Sequence, residues 1–188
     1  MPALEFFFDV ASPYSYLAAT RVEAIAADCK APLRWCPILL GGVFKATGNH
    51  APAIVPSKAH HLKVDLQRWA NWYRIPLQFP DSFPIHSLTV MRMLHTLQED
   101  AQIAASHRLF HAHWGQGLDI SDPEILKTTL GVQDLTAAAQ QPTKDSLRAL
   151  TDEAVQRGAF GAPTVFLGDK MFFGNDRLPF VEQSLRAS

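Results

Sequence analysis

The first 40 residues hold two apolar runs with an amphipathic stretch between them. Residues 4–10 are almost continuously apolar, the pattern of a strand covered on both faces, and Asp9 interrupts the run near its end. Over residues 13–29, Tyr16, Leu17, Ala19, Val22, Ile25 and Ala26 recur at helical spacing, and Pro32 stops the helix they predict. Residues 33–40 (LRWCPILL) predict a second strand, in which Pro37 argues for an edge position or a strand end. Strand, helix, strand in so short a span suggests a βαβ unit with parallel strands.

Residues 41–56 mix Gly, Pro and Asn with few periodic positions and read as a long loop of functional rather than merely connecting character. The pattern then turns helical. Residues 58–73 are amphipathic, with Leu62, Leu66, Trp69, Ala70 and Tyr73 on one face. Beyond the Pro-rich stretch IPLQFPDSFP, helices are predicted over 86–98, 101–114, 122–130, 135–140 and 144–158. Two short β-type runs, 164–167 and 170–173, flank Gly168-Asp169, a pair suited to a hairpin turn, and a closing helix follows over 178–185. Strand-helix-strand in front and strand-strand-helix behind, around a block of helices, is the element order of an α/β thioredoxin-like fold with an inserted all-helical domain. The expected division is 1–42 with 158–188 for the thioredoxin-like part and 43–157 for the inserted loop and helices.

The strand-to-helix junction within FFFDVASPYSY (6–16) concentrates the candidate chemistry. Ser12 stands where an N-cap belongs and Pro13 at the first helical position. Such a junction gathers free backbone N–H groups at the positive end of a helix dipole and suits an anion. A structural cap accounts for Ser12 equally well, and Ser15 is the weaker candidate. Ala162-Pro163 precedes a strand; it is either an ordinary edge proline or, in a thioredoxin-like fold, the cis-Pro element beside the helix start, where an extended thiol peptide pairs with the Ala162 backbone. Asn175 and Asp176 end a strand and cap the last helix, or hold the amino-acid end of a ligand. Asn49 and Lys58 read singly as surface residues, although a lysine near a helix start opposes the dipole and favours a ligand carboxylate close by.

Composition narrows the field. The 188 residues are 47% hydrophobic and 19% charged with net charge −1, which describes a compact globule without an electrostatic reason to expect nucleic acid or an anionic membrane. No run reaches the roughly 18 apolar residues of a membrane helix, and the chain opens on strand-like sequence without a leader pattern, so cytoplasm is the expected compartment. Cys29 and Cys36, the only cysteines, have neither metal-clip nor redox-pair spacing and read as two buried thiols. The His107, His111 and His113 group contains one i,i+4 pair without the acidic partner of a zinc motif, so no metal is expected. Trp69, Trp72, Tyr73 and Trp114 read as helix packing, with Trp72 also a candidate pocket wall.

Taken in order, FDVASPYSYLA (8–18), GGVFKATGN (41–49), LKVDLQRWA (62–70), IPLQFP (75–80), FGAPTVFLGD (160–169) and FGNDRL (173–178) resemble the 2-hydroxychromene-2-carboxylate isomerase family. That family is itself similar to kappa-class glutathione transferases and, more distantly, to DsbA-like oxidoreductases. The resemblance implies glutathione as cofactor, a small aromatic substrate and a homodimer. It implies that Ser12 faces the glutathione sulfur, that Ala162 and Pro163 meet the cysteinyl backbone, and that Asn175 and Asp176 hold the γ-glutamyl end. Asn49 falls near the sulfur and Lys58 near the glycyl carboxylate. The implied reaction is cis-trans isomerisation between 2-hydroxychromene-2-carboxylate and trans-o-hydroxybenzylidenepyruvate by reversible thiolate addition. A kappa-type transferase that consumes glutathione is the alternative, and a non-catalytic glutathione-binding protein the second. A disulfide oxidoreductase is disfavoured, because neither Ser12 nor Ser15 forms a disulfide.

Overall fold

The computed structural model describes residues 2–187. Strand β1 (Leu4–Phe8) leads through a turn into α1 (Pro13–Asp28), and β2 (Leu33–Pro37) returns parallel to β1 with Phe6 opposite Trp35. After the helical segment, β3 (Thr164–Leu167) pairs antiparallel with β1, and β4 (Lys170–Phe173) antiparallel with β3. The sheet order is therefore β2-β1-β3-β4, with the apolar β1 in the interior. β2 is an outer strand, as its proline requires, and its pattern stops at Pro37 rather than running on through residue 40.

Side-chain alternation along β1 divides the core. Leu4, Phe6 and Phe8 point into one cluster with Tyr16, Val22 and Ala26 of α1, Leu178, Val181 and Leu185 of α8 (Leu178–Arg186), and the inserted helices. Phe7 points the other way, into a cluster with Cys36, Ile38, Val43, Ala154 and Phe166. Phe6, Phe8 and Trp35 interlock through ring contacts with centroids 5.0–5.2 Å apart. A buried Phe of this kind contributes about 3–5 kcal/mol relative to Ala.

The segment read as a loop contains α2 (Leu40–Thr47) and a 3-10 turn, Pro52–Ile54. Its glycines at 41 and 42 lie in the first turn of α2, where helix propensity from local sequence is poor, and the helix is held by tertiary bonds instead. Leu39 N–H is taken by Thr151 Oγ1 at 3.0 Å and Leu40 N–H by Asp9 Oδ2 at 2.8 Å. The insert continues with α3 (Pro56–Tyr73), α4 (Leu88–Leu94), α5 (Glu99–Phe110), α6 (Pro123–Leu130) and α7 (Gln141–Gln156), with residues 135–140 forming only a short 3-10 turn, Thr136–Ala139. Leu62, Leu66 and Ala70 of α3 pack on Leu17, which docks the insert on α1. Trp72, in contrast to its reading as packing, is 78% exposed. Cys29 is only partly buried, whereas burial pushes the enclosed Cys36 thiol up to about 12.

Where the pattern gave one helix over 101–114, α5 instead widens into a π turn, His111–Gly115, with Gln116 N–H on His111 C=O at 2.9 Å. A Cβ at Gly115 would lie 2.6 Å from His111 Nδ1, so glycine is what admits the ring. Within this turn His113 is fully enclosed, and its Nδ1–H donates to Leu118 C=O at 2.8 Å. Burial holds the ring below the ordinary histidine pKa, with the Leu118 bond and Asp119 acting against that. The unfolded chain takes up this proton as pH falls past about 6.5 and the native chain does not until lower pH, so stability is lost on acidification. Thermal unfolding between about pH 7.5 and pH 5.5 is expected to show a falling midpoint, with a shallower slope in His113→Asn; equal slopes would exclude His113 as the source.

Candidate active site at the start of α1

Asp9 to Ser12 forms the turn between β1 and α1. Ser12 N–H bonds Asp9 C=O at 3.0 Å, and Ala11 N–H bonds Asp9 Oδ1 at 2.9 Å. Ser12 caps α1 in an extended conformation, its Oγ accepting Ser15 N–H at 3.2 Å. No acidic residue occupies the first turn of α1, so the positive end of this 16-residue helix is not neutralised from within it. The Ser15 hydroxyl is buried beside the cap without a hydrogen-bond partner.

The other end of the chain closes over this junction. Ala162–Pro163 is cis, and Ser12 Oγ–H donates to Ala162 C=O at 2.8 Å across 150 residues of sequence. Neighbouring carbonyls are also held: Phe160 by Asn49 Nδ2 at 2.8 Å, Gly161 by Thr164 Oγ1 at 2.8 Å, and Pro163 by Gly174 N–H at 3.0 Å. Gly161 has to be glycine here, since a Cβ would stand 2.8 Å from the Phe173 ring. A second cis bond, Phe83–Pro84, lies in the connection before α4.

Beyond Gly174, whose φ of +99° turns the chain, the 3-10 turn Asn175–Arg177 brings Asn175 and Asp176 to the same end of α1. Asn175 is 1% exposed; its amide faces the Tyr73 phenol, and its Nδ2 makes no hydrogen bond of regular geometry within the protein. Asp176 pairs with Arg177 at 2.8 Å on the exposed side. Tyr14 donates to Asp65 Oδ2 of α3 at 2.9 Å; burial, Asp65 and Asp176 together hold its phenol protonated. Tyr73, faced by Asn175, Arg21 and Asp176, is likewise pushed up, chiefly by burial. Lys58, in the first turn of α3, is exposed and forms no ion pair among the described residues. It lines a cavity of about 330 Å³ with Tyr14, Pro52, Ser57, His61 and Leu62.

Ser12 thus meets Ala162 directly, Gly174 just before Asn175 holds Pro163 C=O, Asp176 acts on Tyr14, and Lys58 lines a cavity with Tyr14. Asn49 touches the same strand entry two residues earlier, at Phe160. Sequence reasoning passed over Tyr14, Tyr73 and the role of Asp9; the legible signal for Asp9 was a carboxylate inside an otherwise apolar strand. Among the described residues no group of three His, Cys, Asp or Glu side chains is placed to hold a metal ion. No helix among them is long and apolar enough to cross a membrane.

Residues 3–186 match the DSBA-like thioredoxin domain, and the chain belongs to that family. Within it the chain is closely related to the 2-hydroxychromene-2-carboxylate isomerases. It is 36% identical over 192 residues to the one from Pseudomonas putida, covering 97% of this chain and 93% of that protein. A solved 2-hydroxychromene-2-carboxylate isomerase structure superposes with a TM-score of 0.85 at 34% identity, covering 98% of this chain and 95% of the other. Glutathione S-transferase kappa 1 of Homo sapiens is 29% identical over 203 residues, covering 97% of this chain and 90% of that protein.

Proposed function

We propose that the chain is a glutathione-dependent cis-trans isomerase acting on a small conjugated aromatic carboxylate of the 2-hydroxychromene-2-carboxylate type. The observation that carries this reading is the Ser12 hydroxyl, 2.8 Å from Ala162 C=O at the N-terminus of a helix whose first turn holds no acidic residue. The residues present fit a γ-glutamyl tripeptide. The buried Asn175 amide and the Asp176 carboxylate suit an amino-acid head, Ala162 suits an extended backbone, and Lys58 beside its cavity suits a terminal carboxylate.

Bound there, glutathione supplies a thiolate able to add reversibly to a conjugated double bond. The protein's own contribution is electrostatic. An ordinary thiol with a pKa of about 8.5 is only a few per cent ionised at neutral pH, and a hydroxyl donor plus a helix N-terminus favour the charged form by about 1.36 kcal/mol for each unit gained. In the free protein the Ser12 proton is committed to Ala162 C=O. Turning it toward an anion releases that carbonyl to accept a peptide N–H, so the two contacts exchange rather than one being lost. Ser12 and Ser15 exclude dithiol exchange at this position.

The kappa-type relatives favour a second reading, transfer of glutathione to an electrophile. Turnover of 2-hydroxychromene-2-carboxylate with glutathione at a small fraction of substrate separates the two. Complete approach to equilibrium with reduced glutathione recovered supports the isomerase. Arrest after one equivalent of glutathione is consumed would establish the transferase instead. We further propose a homodimer, which rests on the relatedness alone, and a cytoplasmic location.

A further inference from the structure

Asp9 is fully buried three residues before Ser12, and its carboxylate receives three donors from three separate parts of the chain. Oδ1 takes Ala11 N–H of the Ser12 turn at 2.9 Å; Oδ2 takes Leu40 N–H at the start of α2 at 2.8 Å and Ser87 Oγ–H just before α4 at 2.9 Å. Neither helix has a side-chain cap of its own: the residue before α2 is Leu39, and the Ser87 hydroxyl turns away from α4 to Asp9. No cation pairs with Asp9 among the described residues. A buried carboxylate without a counter-ion is costly: burial pushes the Asp9 carboxyl above its ordinary pKa, and the three converging donors act against that. The same turn is fixed from the insert a second time, by Trp114 Nε1–H on Val10 C=O at 2.7 Å.

The geometry points to Asp9 as a positioning residue: through its three hydrogen bonds it aligns the Ser12 turn with α2 and α4, so that docking of the helical insert sets how well the start of α1 stabilises an anion at Ser12. This rests on the reading of Ser12 as the thiolate-holding residue. Asp9 touches no reacting atom. It acts through the N–H groups of Ala11 and Leu40, and α2 in turn leads to Gly48 and to Asn49, which grips Phe160 two residues before Ala162.

Asp9→Asn tests this, because an amide keeps the shape and one acceptor but presents N–H₂ where a second acceptor is needed. Two measurements are made on the full chain. In the free protein, amide hydrogen exchange at Ala11, Ser12 and Leu40 is expected to quicken at least about tenfold while β3 is unchanged. With glutathione bound, ultraviolet titration of the thiolate is expected to place its pKa about half a unit to one unit higher than in the wild type, with kcat falling and KM for glutathione nearly unchanged. Ser87→Ala, the milder change, is expected to shift both in the same direction by less, and the double variant to match Asp9→Asn alone.

The sign decides against the alternatives. A lower thiolate pKa in Asp9→Asn would mean that Asp9 acts only as a repelling charge, and a reduced thermal midpoint with neither exchange nor pKa altered would mean that it only holds the fold; either overturns the proposal. If the wild type itself does not ionise glutathione, the reading of Ser12 fails, and the exchange measurement then judges the alignment by Asp9 on its own.

Discussion

Ser12→Ala is expected to bind glutathione nearly as well as the wild type and to ionise it far less. The hydroxyl is the side-chain donor at the cap, so its loss raises the thiolate pKa by about one unit, and the rate falls by about tenfold to a hundredfold, as when a single preorganised donor is removed from an anion site. Folding suffers little by comparison: the cap bond to Ser15 is long at 3.2 Å, and loss of a cap costs about 1 kcal/mol. Ala162 C=O, losing its partner at 2.8 Å, becomes free to accept a peptide N–H, which is why affinity is preserved. Thiolate absorbance titrated against pH, with single-turnover rates, checks both halves. The same pKa and rate in both proteins would reduce Ser12 to a helix cap.

The converse result is expected at the other end of the site. Asp176→Ala removes a carboxylate at the amino-acid end, and Asn175→Leu replaces a buried amide whose Nδ2 makes no hydrogen bond of regular geometry in the free protein. Each is expected to weaken glutathione about tenfold to a hundredfold, since hydrogen bonds to charged groups contribute about 1.5–3 kcal/mol. The thiolate pKa of whatever glutathione binds stays near the wild-type value. Calorimetric titration of reduced glutathione tests this. Unchanged affinity in both would move the γ-glutamyl end elsewhere.

Much of this was legible along the chain because its signals are local. The run over 4–10 interrupted at Asp9, the Ser12-Pro13 step and the Gly168-Asp169 hairpin each announce themselves within a few residues; the last two appear where the pattern puts them, and the first forms a strand that stops at Phe8, just before Asp9. The misreadings have one origin. α2 was read as a loop because its own sequence has no cap and two glycines, and what holds it is Asp9 and Thr151, 31 and 112 residues away. Periodicity predicts a single helix over 101–114 because it does not register one widened turn, and Gly115 admits the His111 ring within that turn. Trp72 was assigned to packing by residue type, whereas the neighbouring positions Leu66 and Ala70 already fill the contact with Leu17.

By itself, then, the sequence determined where the strands and the longest helices lie, the order in which they enclose the insert, and which serine stands at the start of α1, because each depends on side-chain periodicity or on cap chemistry within a single turn. Only the tertiary structure decided that Ala162 lies on Ser12, that the Asn175 amide is buried facing Tyr73, and that Asp9 joins three elements at one carboxylate. Those are contacts between segments tens to more than a hundred residues apart, and their existence follows from how the sheet and the insert close on one another rather than from any pattern within a segment.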